Sequence, residues 1–365
     1  MSLLAYLVVC VLSIAMALNP GRAVMFDGKL LLAVLGGYTL FTVALRSERF
    51  VRWVPSLACV ALTASVGYCL IGRLWLGRTE FGFHGNVYKY GTYVGMLAPL
   101  AGGMMLLGRR WPERVGGAAL ILLSALSVGS LGGICAIAAG LMALMVLAPR
   151  GGPRGVVMAV TALVAVVVVS AGLMGAMAPL ERDLALREPD QPQHLRQRYI
   201  EWQALTNLLE ARPTVGTGAG CINEHRSEFY YRLPKLNTIG PFDQNGWLAT
   251  AAEMGVLGLA CLVWAVGHYV RLAWSVRSSD AAQGMTAHAR LARANGAALV
   301  AACVANVFSS LFYNGNLIVF VAILALAARM AALTQGDSDE QQTSSNGHRP
   351  GNRDLLPVRG DPVSA

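Results

Sequence analysis

Side chains that could move a proton gather around one point in the second half of the chain. Asp243-Gln244-Asn245 stands directly before a long apolar run, and Glu253 lies about two helical turns inside that run. An acid within an apolar span is costly, so Glu253 is a candidate functional residue that would pair with an arginine. His225, in the polar segment before the run, could act as a base near neutral pH. The structural alternatives are helix caps at Asp243 and Asn245 and an incidental loop histidine.

A glycine-rich turn precedes these residues. Residues 214–220 read Thr-Val-Gly-Thr-Gly-Ala-Gly, with glycines at Gly216, Gly218 and Gly220. A tight turn of this kind can bring backbone N–H groups close to an anion. A dinucleotide-binding fingerprint would need a strand before the turn and a helix after it, and neither fits here. The pattern therefore predicts either an anion contact or a flexible connection.

An amphipathic helix is predicted just upstream, over residues 194–211. Tyr199 and Trp202 begin a set of apolar side chains at helical spacing, and Pro213 is well placed to end the helix. A helix lying at a membrane interface would bury both aromatic rings at the depth of the lipid headgroups. Arg198 could then bind a lipid phosphate with two parallel hydrogen bonds. An ordinary surface helix with a solvated arginine is the alternative.

The composition is that of a membrane protein with several spans. Apolar residues make up 55% of the chain and charged residues 13%, whereas a soluble domain carries about a quarter. The net charge of +9 is explained by topology and contact with anionic lipid, so no nucleic-acid partner is expected. Seven cysteines include no CxxC pair, which predicts neither a zinc site nor a disulfide framework. We expect no metal and no cofactor.

The apolar runs predict an all-α integral membrane protein with about ten transmembrane helices. The run 115–149 would form a helix about 50 Å long, too long for a hydrocarbon core of about 30 Å, so a hairpin with a break near 129–133 is expected. The distribution of arginine favours cytoplasmic N- and C-termini. The predicted divisions are about seven spans in 1–179, one large outer loop with short helices in 180–245, about three spans in 246–333, and a disordered cytoplasmic tail in 334–365.

Read in order, these motifs resemble the O-antigen ligase and Wzy polymerase-like superfamily of bacterial envelope proteins. The resemblance rests on Arg198 with Trp202, then Pro213-x-x-Gly-x-Gly-x-Gly, then Gln244-Asn245-Gly246-Trp247-Leu248, and finally Glu253-x-Gly-x-x-Gly. It covers residues 196–262, with a weaker match from about residue 78 to 148. The superfamily has about ten to twelve spans and one large periplasmic loop, as the topology above also predicts.

The resemblance implies a glycan transferase of the bacterial inner membrane. Such an enzyme takes a glycan from undecaprenyl pyrophosphate and passes it to lipid A-core (a ligase) or to a growing polysaccharide (a polymerase), without a metal or nucleotide cofactor. Its partners would be the lipid-linked glycan, the acceptor and membrane lipids. The substrate-binding residues would then be Arg78, Arg198, Trp202, Gly216, Gly218, Gly220, Arg226 and Arg232.

Two positions depart from the superfamily pattern. The superfamily has His-Asn where this chain has Gln244-Asn245, and Ser-Arg-Gly where it has Ser130-Leu131-Gly132. Glutamine cannot act as a general base, so either His225, Asp243 or Glu253 supplies one, or the acceptor needs no activation, or the protein binds its glycolipid without turnover. Asn245 would position the acceptor. The glutamine and the short chain favour a polymerase-like role. A non-catalytic polysaccharide assembly protein and a glycolipid transporter remain alternatives, although a transporter would be expected to show repeats and midplane charges.

Overall fold

The protein is built from helices throughout the part that the structure describes. The structure, a computed structural model, describes residues 2–17, 19–75, 87–148, 154–164, 194–225, 245–275, 286–312 and 316–347. No strand occurs in these ranges, which confirms the all-α class. The helices are α1 (Ser2–Ser13), α2 (Pro20–Leu31), α3 (Gly37–Ala44), α4 (Glu48–Trp75), α5 (Val87–Leu106), α6 (Trp111–Ser127), α7 (Leu131–Leu147), α8 (Arg154–Val164), α9 (His194–Ala211), α10 (Gly246–Ser275), α11 (Ala287–Phe308) and α12 (Asn316–Gly347).

Several of these helices are apolar enough to cross a membrane. Five in the described ranges have both the length and the composition of a span, and α2 and α3 count together because a π-helical turn, Leu32–Gly36, joins them. The protein is therefore a multi-pass membrane protein, while the count of about ten spans and the periplasmic loop stay predictions. The five are Pro20–Ala44, Glu48–Trp75, Gly246–Ser275, Ala287–Phe308 and Asn316–Leu333.

Two local predictions agree with the structure. The apolar run 115–149 is broken between α6 and α7, and the Ser130 hydroxyl caps α7 by accepting a hydrogen bond from the Gly133 N–H at 3.3 Å. The amphipathic segment forms α9 over His194–Ala211, the predicted range. Both helices begin or end where a cap or a proline makes continuation unfavourable.

The last helix, α12, reaches into the segment predicted as a tail. The last helix continues to Gly347, fourteen residues past the point where a disordered tail was predicted to begin. Adding a residue to an existing helix needs no new nucleus, so polar residues can extend a span that is already helical. The division at residue 334 stays a prediction, and residues 348–365 lie outside the described residues.

The packed centre consists of α5, α7 and α11, whose backbones approach closely at small residues. A Cβ on Gly140 of α7 would collide with Pro99 of α5 and lie 3.1 Å from the Cβ of Ala301 of α11. Small residues at such contacts are typical of membrane helices, because lipid gives apolar side chains little reason to associate. A polar contact lies at the C-terminal end of α11. There the buried Asn306 amide oxygen accepts a hydrogen bond from the Leu311 N–H at 3.0 Å.

Candidate functional site

Helix α10 is broken at Gly255, nine residues after it begins. Gly255 has φ 68° and ψ −172°, so the regular hydrogen-bond ladder stops on both sides of it. A neighbouring turn satisfies the groups that the break releases. The Thr217 and Gly218 N–H groups donate to the carbonyl oxygens of Ala252 and Glu253 at 3.1 and 2.8 Å. The Val256 N–H donates to the Pro213 carbonyl at 2.8 Å, so the turn holds both halves of α10.

The three glycines of that turn are required by backbone conformation and by close packing. Their φ angles are 66°, 97° and 73°, a region that side chains with a Cβ rarely adopt. A Cβ on Gly216 would collide with the Glu253 backbone, and one on Gly218 would lie 2.5 Å from the Cβ of Ala17. A Cβ on Gly220 would lie 2.8 Å from Phe26. The turn is thus fitted between α10 and the connection from α1 to α2.

The N–H groups of this turn mostly donate to the chain itself. Besides Thr217 and Gly218, the Gly216 N–H donates to the Arg212 carbonyl at 3.1 Å and the Ala219 N–H to the Ser13 hydroxyl at 3.2 Å. An N–H group that donates within the chain is not available to an anion. Contact of Gly216, Gly218 or Gly220 with substrate therefore stays a prediction, and the observed geometry supports a packing role instead.

Helix α9 packs on the first half of α10 through an apolar cluster. The turn joins the end of α9 to the break at Gly255, so α9 and the first half of α10 run in the same direction. Counting about 1.5 Å per residue from Ala211 and from Gly255 brings Glu201 to about the level of Asn245. Glu201 is 1% exposed, so a carboxyl group lies inside this contact. The cluster consists of Ala204, Leu205, Leu208, Ile222, Ala249 and Ala252.

Glu253 is enclosed as well. It is 2% exposed and lines a cavity of about 10 Å³ together with Tyr6, Thr250 and Ser310. A cavity of this size is close to the smallest that can hold one water molecule. The carboxyl group therefore has no space for a sugar beside it, and any proton it exchanges with an acceptor must pass through an intervening group.

The segment that carries this arrangement matches a known family. Residues 116–263 match the Wzy_C family model, described as O-antigen ligase. The match supports an O-antigen ligase, or Wzy-like, family. It begins in α6 and ends in α10, so it includes α9, the glycine turn and the break at Gly255. A comparison with curated proteins gave no match.

Part of the predicted O-antigen ligase site is thereby brought together. Trp202, the three turn glycines, Asn245 and Glu253 all lie on α9, on α10 or on the turn between them. The backbones of Arg198 and His225 are helical, but their side chains lie outside the description. The remaining predicted positions, which are Arg78, Arg226, Arg232, Asp243 and Gln244, fall outside the described residues altogether.

Asn245 caps α10, as its structural alternative predicted. Its side-chain oxygen accepts from the Leu248 N–H at 3.1 Å, and its backbone oxygen accepts from the Ala249 N–H at 2.8 Å. The cap uses the oxygen of the side-chain amide. The amide nitrogen can therefore still donate a hydrogen bond at the N-terminus of α10. Trp202 offers a second donor, because its indole N–H has no hydrogen-bond partner among the described residues.

Two buried acids were missed by the sequence reasoning. Glu201 could have been found, because it precedes Ala204, Leu205 and Leu208 at the helical spacing of the apolar face of α9. Asp27 is 1% exposed, and neither carboxylate oxygen has a hydrogen-bond partner within the described ranges. In the sequence Asp27 precedes the apolar run that follows Lys29 and therefore gives no sign of burial, whereas the observed helix begins at Pro20 and buries Asp27.

The connection between α1 and α2 anchors the far end of the turn. Arg22 forms an ion pair with Glu224 at 3.6 Å, and the Cys221 thiol lies 3.8 Å from the Asn19 carbonyl oxygen. Burial is the main cause that raises the pKa of the Cys221 thiol. A thiol with a raised pKa is a poor nucleophile, so we assign Cys221 a packing role at the end of the glycine turn.

Proposed function

We propose that this protein is an O-antigen ligase or polymerase-like glycan transferase of the bacterial inner membrane. It would move a glycan from undecaprenyl pyrophosphate to a hydroxyl of lipid A-core or of a growing polysaccharide at the periplasmic face, with both termini in the cytoplasm. One observation carries the proposal. The family match covers the segment in which the glycine turn connects α9 to the broken α10. The Asn245 amide and the buried Glu201 therefore lie near the start of a membrane helix, and the buried Glu253 lies about two turns inside it.

The position at a helix mouth suits a lipid-linked donor. The isoprenoid chain stays in the bilayer, while the pyrophosphate and the sugar lie at the interface. Transfer breaks the bond between the anomeric carbon and the pyrophosphate oxygen, and forms a bond from that carbon to the acceptor oxygen. Negative charge grows on the leaving pyrophosphate, which arginines would stabilise. We assign this role to Arg78, Arg198, Arg226 and Arg232, with the Trp202 indole beside them.

The acceptor hydroxyl must also lose a proton. Gln244 cannot accept it, so His225, Asp243 and Glu253 remain the candidate bases. Glu253 would act through an intervening group, because its cavity admits about one water molecule. His225 and Asp243 belong to the polar segment between the turn and α10 and would meet the acceptor directly. We favour one of these two as the base, with Asn245 holding the acceptor oxygen.

The break in α10 does not support the transporter alternative. Transporters use the unpaired backbone groups of broken helices to bind ions and substrates. Here the groups released at Ala252, Glu253 and Val256 accept from or donate to the glycine turn. The break thus serves as the attachment point of the glycine turn on α10. A non-catalytic assembly protein would share this attachment, and only activity measurements separate it from an enzyme.

Deletion of the gene tests the function directly. Loss of long glycan from lipid A-core, with accumulation of lipid-linked polymer, is the result expected for a ligase. Accumulation of single lipid-linked repeats is expected for a polymerase. Surface polysaccharide and lipopolysaccharide separated on a gel would report both. An unchanged glycan pattern would contradict the transferase and make transport the next hypothesis.

Arg198→Ala should abolish glycan transfer while the protein still inserts in the membrane. Removing a group that stabilises a developing charge typically costs about 100-fold or more in rate. Glycan on complemented deletion cells and the amount of protein in membranes would be measured together. Arg212→Ala is the matched control, because Arg212 is an exposed arginine at the end of the same helix. Equal glycan output from the two variants would refute the role of Arg198.

Asn245→Asp should separate capping from acceptor binding. Aspartate keeps an oxygen for the Leu248 N–H but removes the amide N–H₂, so stability should be retained while transfer falls roughly tenfold, the scale of one hydrogen bond of about 1.4 kcal/mol. Asn245→Ala should lower both, with a loss of about 1 kcal/mol of stability. Transfer is measured in membranes supplied with donor and acceptor. Full activity of Asn245→Asp would leave Asn245 as a cap alone.

A further inference from the structure

A partly open apolar cavity lies between α3, α4, α5 and α12. Its volume is about 310 Å³, at the lower end of the range for small-ligand sites. Its lining residues are apolar except for Tyr93. Because α3, α4 and α12 belong to membrane spans, hydrocarbon is the surrounding solvent, and a chain of hydrocarbon is the natural occupant. We call this cavity the apolar groove.

Arginines border one end of the apolar groove. Leu45 and Phe50 line the groove. Their chain neighbours are exposed, Arg46 in the connection between α3 and α4 and Arg49 in the first turn of α4. A membrane-spanning helix pair places such a connection at the level of the lipid headgroups. The two guanidinium groups therefore stand where a lipid whose chain fills the groove would have its phosphate.

A third arginine comes to the same end from α12. The Arg329 Nε donates to the Leu45 carbonyl oxygen at 3.0 Å, while Leu326, three residues earlier on the same face of the helix, lines the groove. This hydrogen bond fixes the guanidinium group at the groove entrance. Its two terminal nitrogens form no hydrogen bond within the described residues, so they can donate to an anion.

The acid nearest to these arginines in the chain is already paired with another residue. Glu48 is the first residue of α4, and its carboxylate accepts a hydrogen bond from Arg52 at 2.9 Å. Arg46, Arg49 and Arg329 thus remain as a positive group beside an apolar groove. Guanidinium groups bind phosphate oxygens with two parallel hydrogen bonds, and clusters of basic residues next to a span attract anionic lipid.

We propose that the apolar groove binds an anionic phospholipid. One acyl chain lies between α4 and α12, and the phosphate is held by Arg46, Arg49 and Arg329. A zwitterionic lipid would fill the groove equally well but would gain less from the three arginines. The lining of the groove includes no residue of α9, α10 or the glycine turn, so the proposal does not depend on the proposed transferase activity.

Lipid retention by the purified full-length protein tests this site. The protein would be delipidated in detergent and titrated with phosphatidylglycerol or phosphatidylcholine, and bound lipid would be counted by native mass spectrometry. The wild type should prefer phosphatidylglycerol by roughly tenfold or more, given about 1 kcal/mol for each basic residue near anionic lipid. The triple variant Arg46→Gln, Arg49→Gln, Arg329→Gln should lose this preference.

Two further variants keep the result decisive. Arg109→Gln with Arg110→Gln removes two exposed arginines between α5 and α6 and should leave the preference unchanged. Ala61→Phe fills the groove without changing charge and should weaken binding of phosphatidylglycerol, even where the triple variant fails to fold. Unchanged binding of phosphatidylglycerol by Ala61→Phe, together with an unchanged preference in the triple variant, would overturn the proposal. Displacement of phosphatidylglycerol by an equal concentration of undecaprenyl phosphate would assign the groove to the carrier lipid instead.

Discussion

Gly255→Ala should sharply reduce the amount of folded protein, whereas Gly267→Ala in the same helix should not. At φ 68° and ψ −172°, Gly255 occupies a region that is almost closed to other residues, at a cost of about 1–3 kcal/mol. A Cβ there would also collide with the Thr214 backbone and lie 2.6 Å from the Val215 nitrogen. Overpacking of this kind costs about another 1–3 kcal/mol. Together these are a large fraction of the stability of a typical domain.

The measurement is the monodisperse yield after extraction from membranes, together with the thermal midpoint of the material that survives. Gly267 is a matched control because it lies in the second half of α10 and a Cβ there would meet nothing within 4 Å. Alanine at Gly267 should be neutral or gain up to about 1 kcal/mol from the lower entropy of the unfolded chain. Equal yields of Gly255→Ala and Gly267→Ala would mean that the break in α10 is not needed for folding.

The break shows where prediction from sequence ends for this protein. The apolar run from residue 246 correctly predicts a helix, because its composition favours one throughout. Nothing in the run distinguishes Gly255 from Gly258 or Gly267, since all three are glycines in apolar surroundings. What differs is the turn at residues 213–220, whose N–H groups pair with released carbonyls about 35 residues away. A contact between distant segments cannot be read from local pattern.

The candidate site was predictable in part for the same reason. Trp202 and Asn245 are found from local signals, namely helical spacing and a polar residue before an apolar run. The glycines of the turn were found too, but their spacing allowed an anion site, while the structure shows that the N–H groups of Gly216 and Gly218 donate to the chain itself. Asp27 was missed because its burial depends on how α2 packs against the rest of the bundle, which hydropathy along the chain does not report.

Asp27→Leu should raise thermal stability, although it replaces a buried side chain. Both carboxylate oxygens of Asp27 are buried and have no hydrogen-bond partner in the described part of the chain. A buried polar group without a partner costs about 1–3 kcal/mol, and leucine has the same branching without that cost. Asp27→Asn should give a smaller gain, because the amide stays polar. Thermal unfolding of the purified variants in one detergent would measure the series, with Met25→Leu on the exposed side of α2 as a neutral control.

Glycan transfer by the Asp27 variants shows whether this destabilising acid has a function. An acid inside a membrane protein is a functional-site hypothesis, and functional residues are often paid for in stability. A more stable Asp27→Leu with reduced glycan transfer would give Asp27 a functional role, on the same helix as Phe26, which packs on Gly220. A more stable variant with full transfer would show that the acid is dispensable. A less stable Asp27→Leu would contradict the prediction and show that the carboxyl group holds a stabilising partner such as an ordered water.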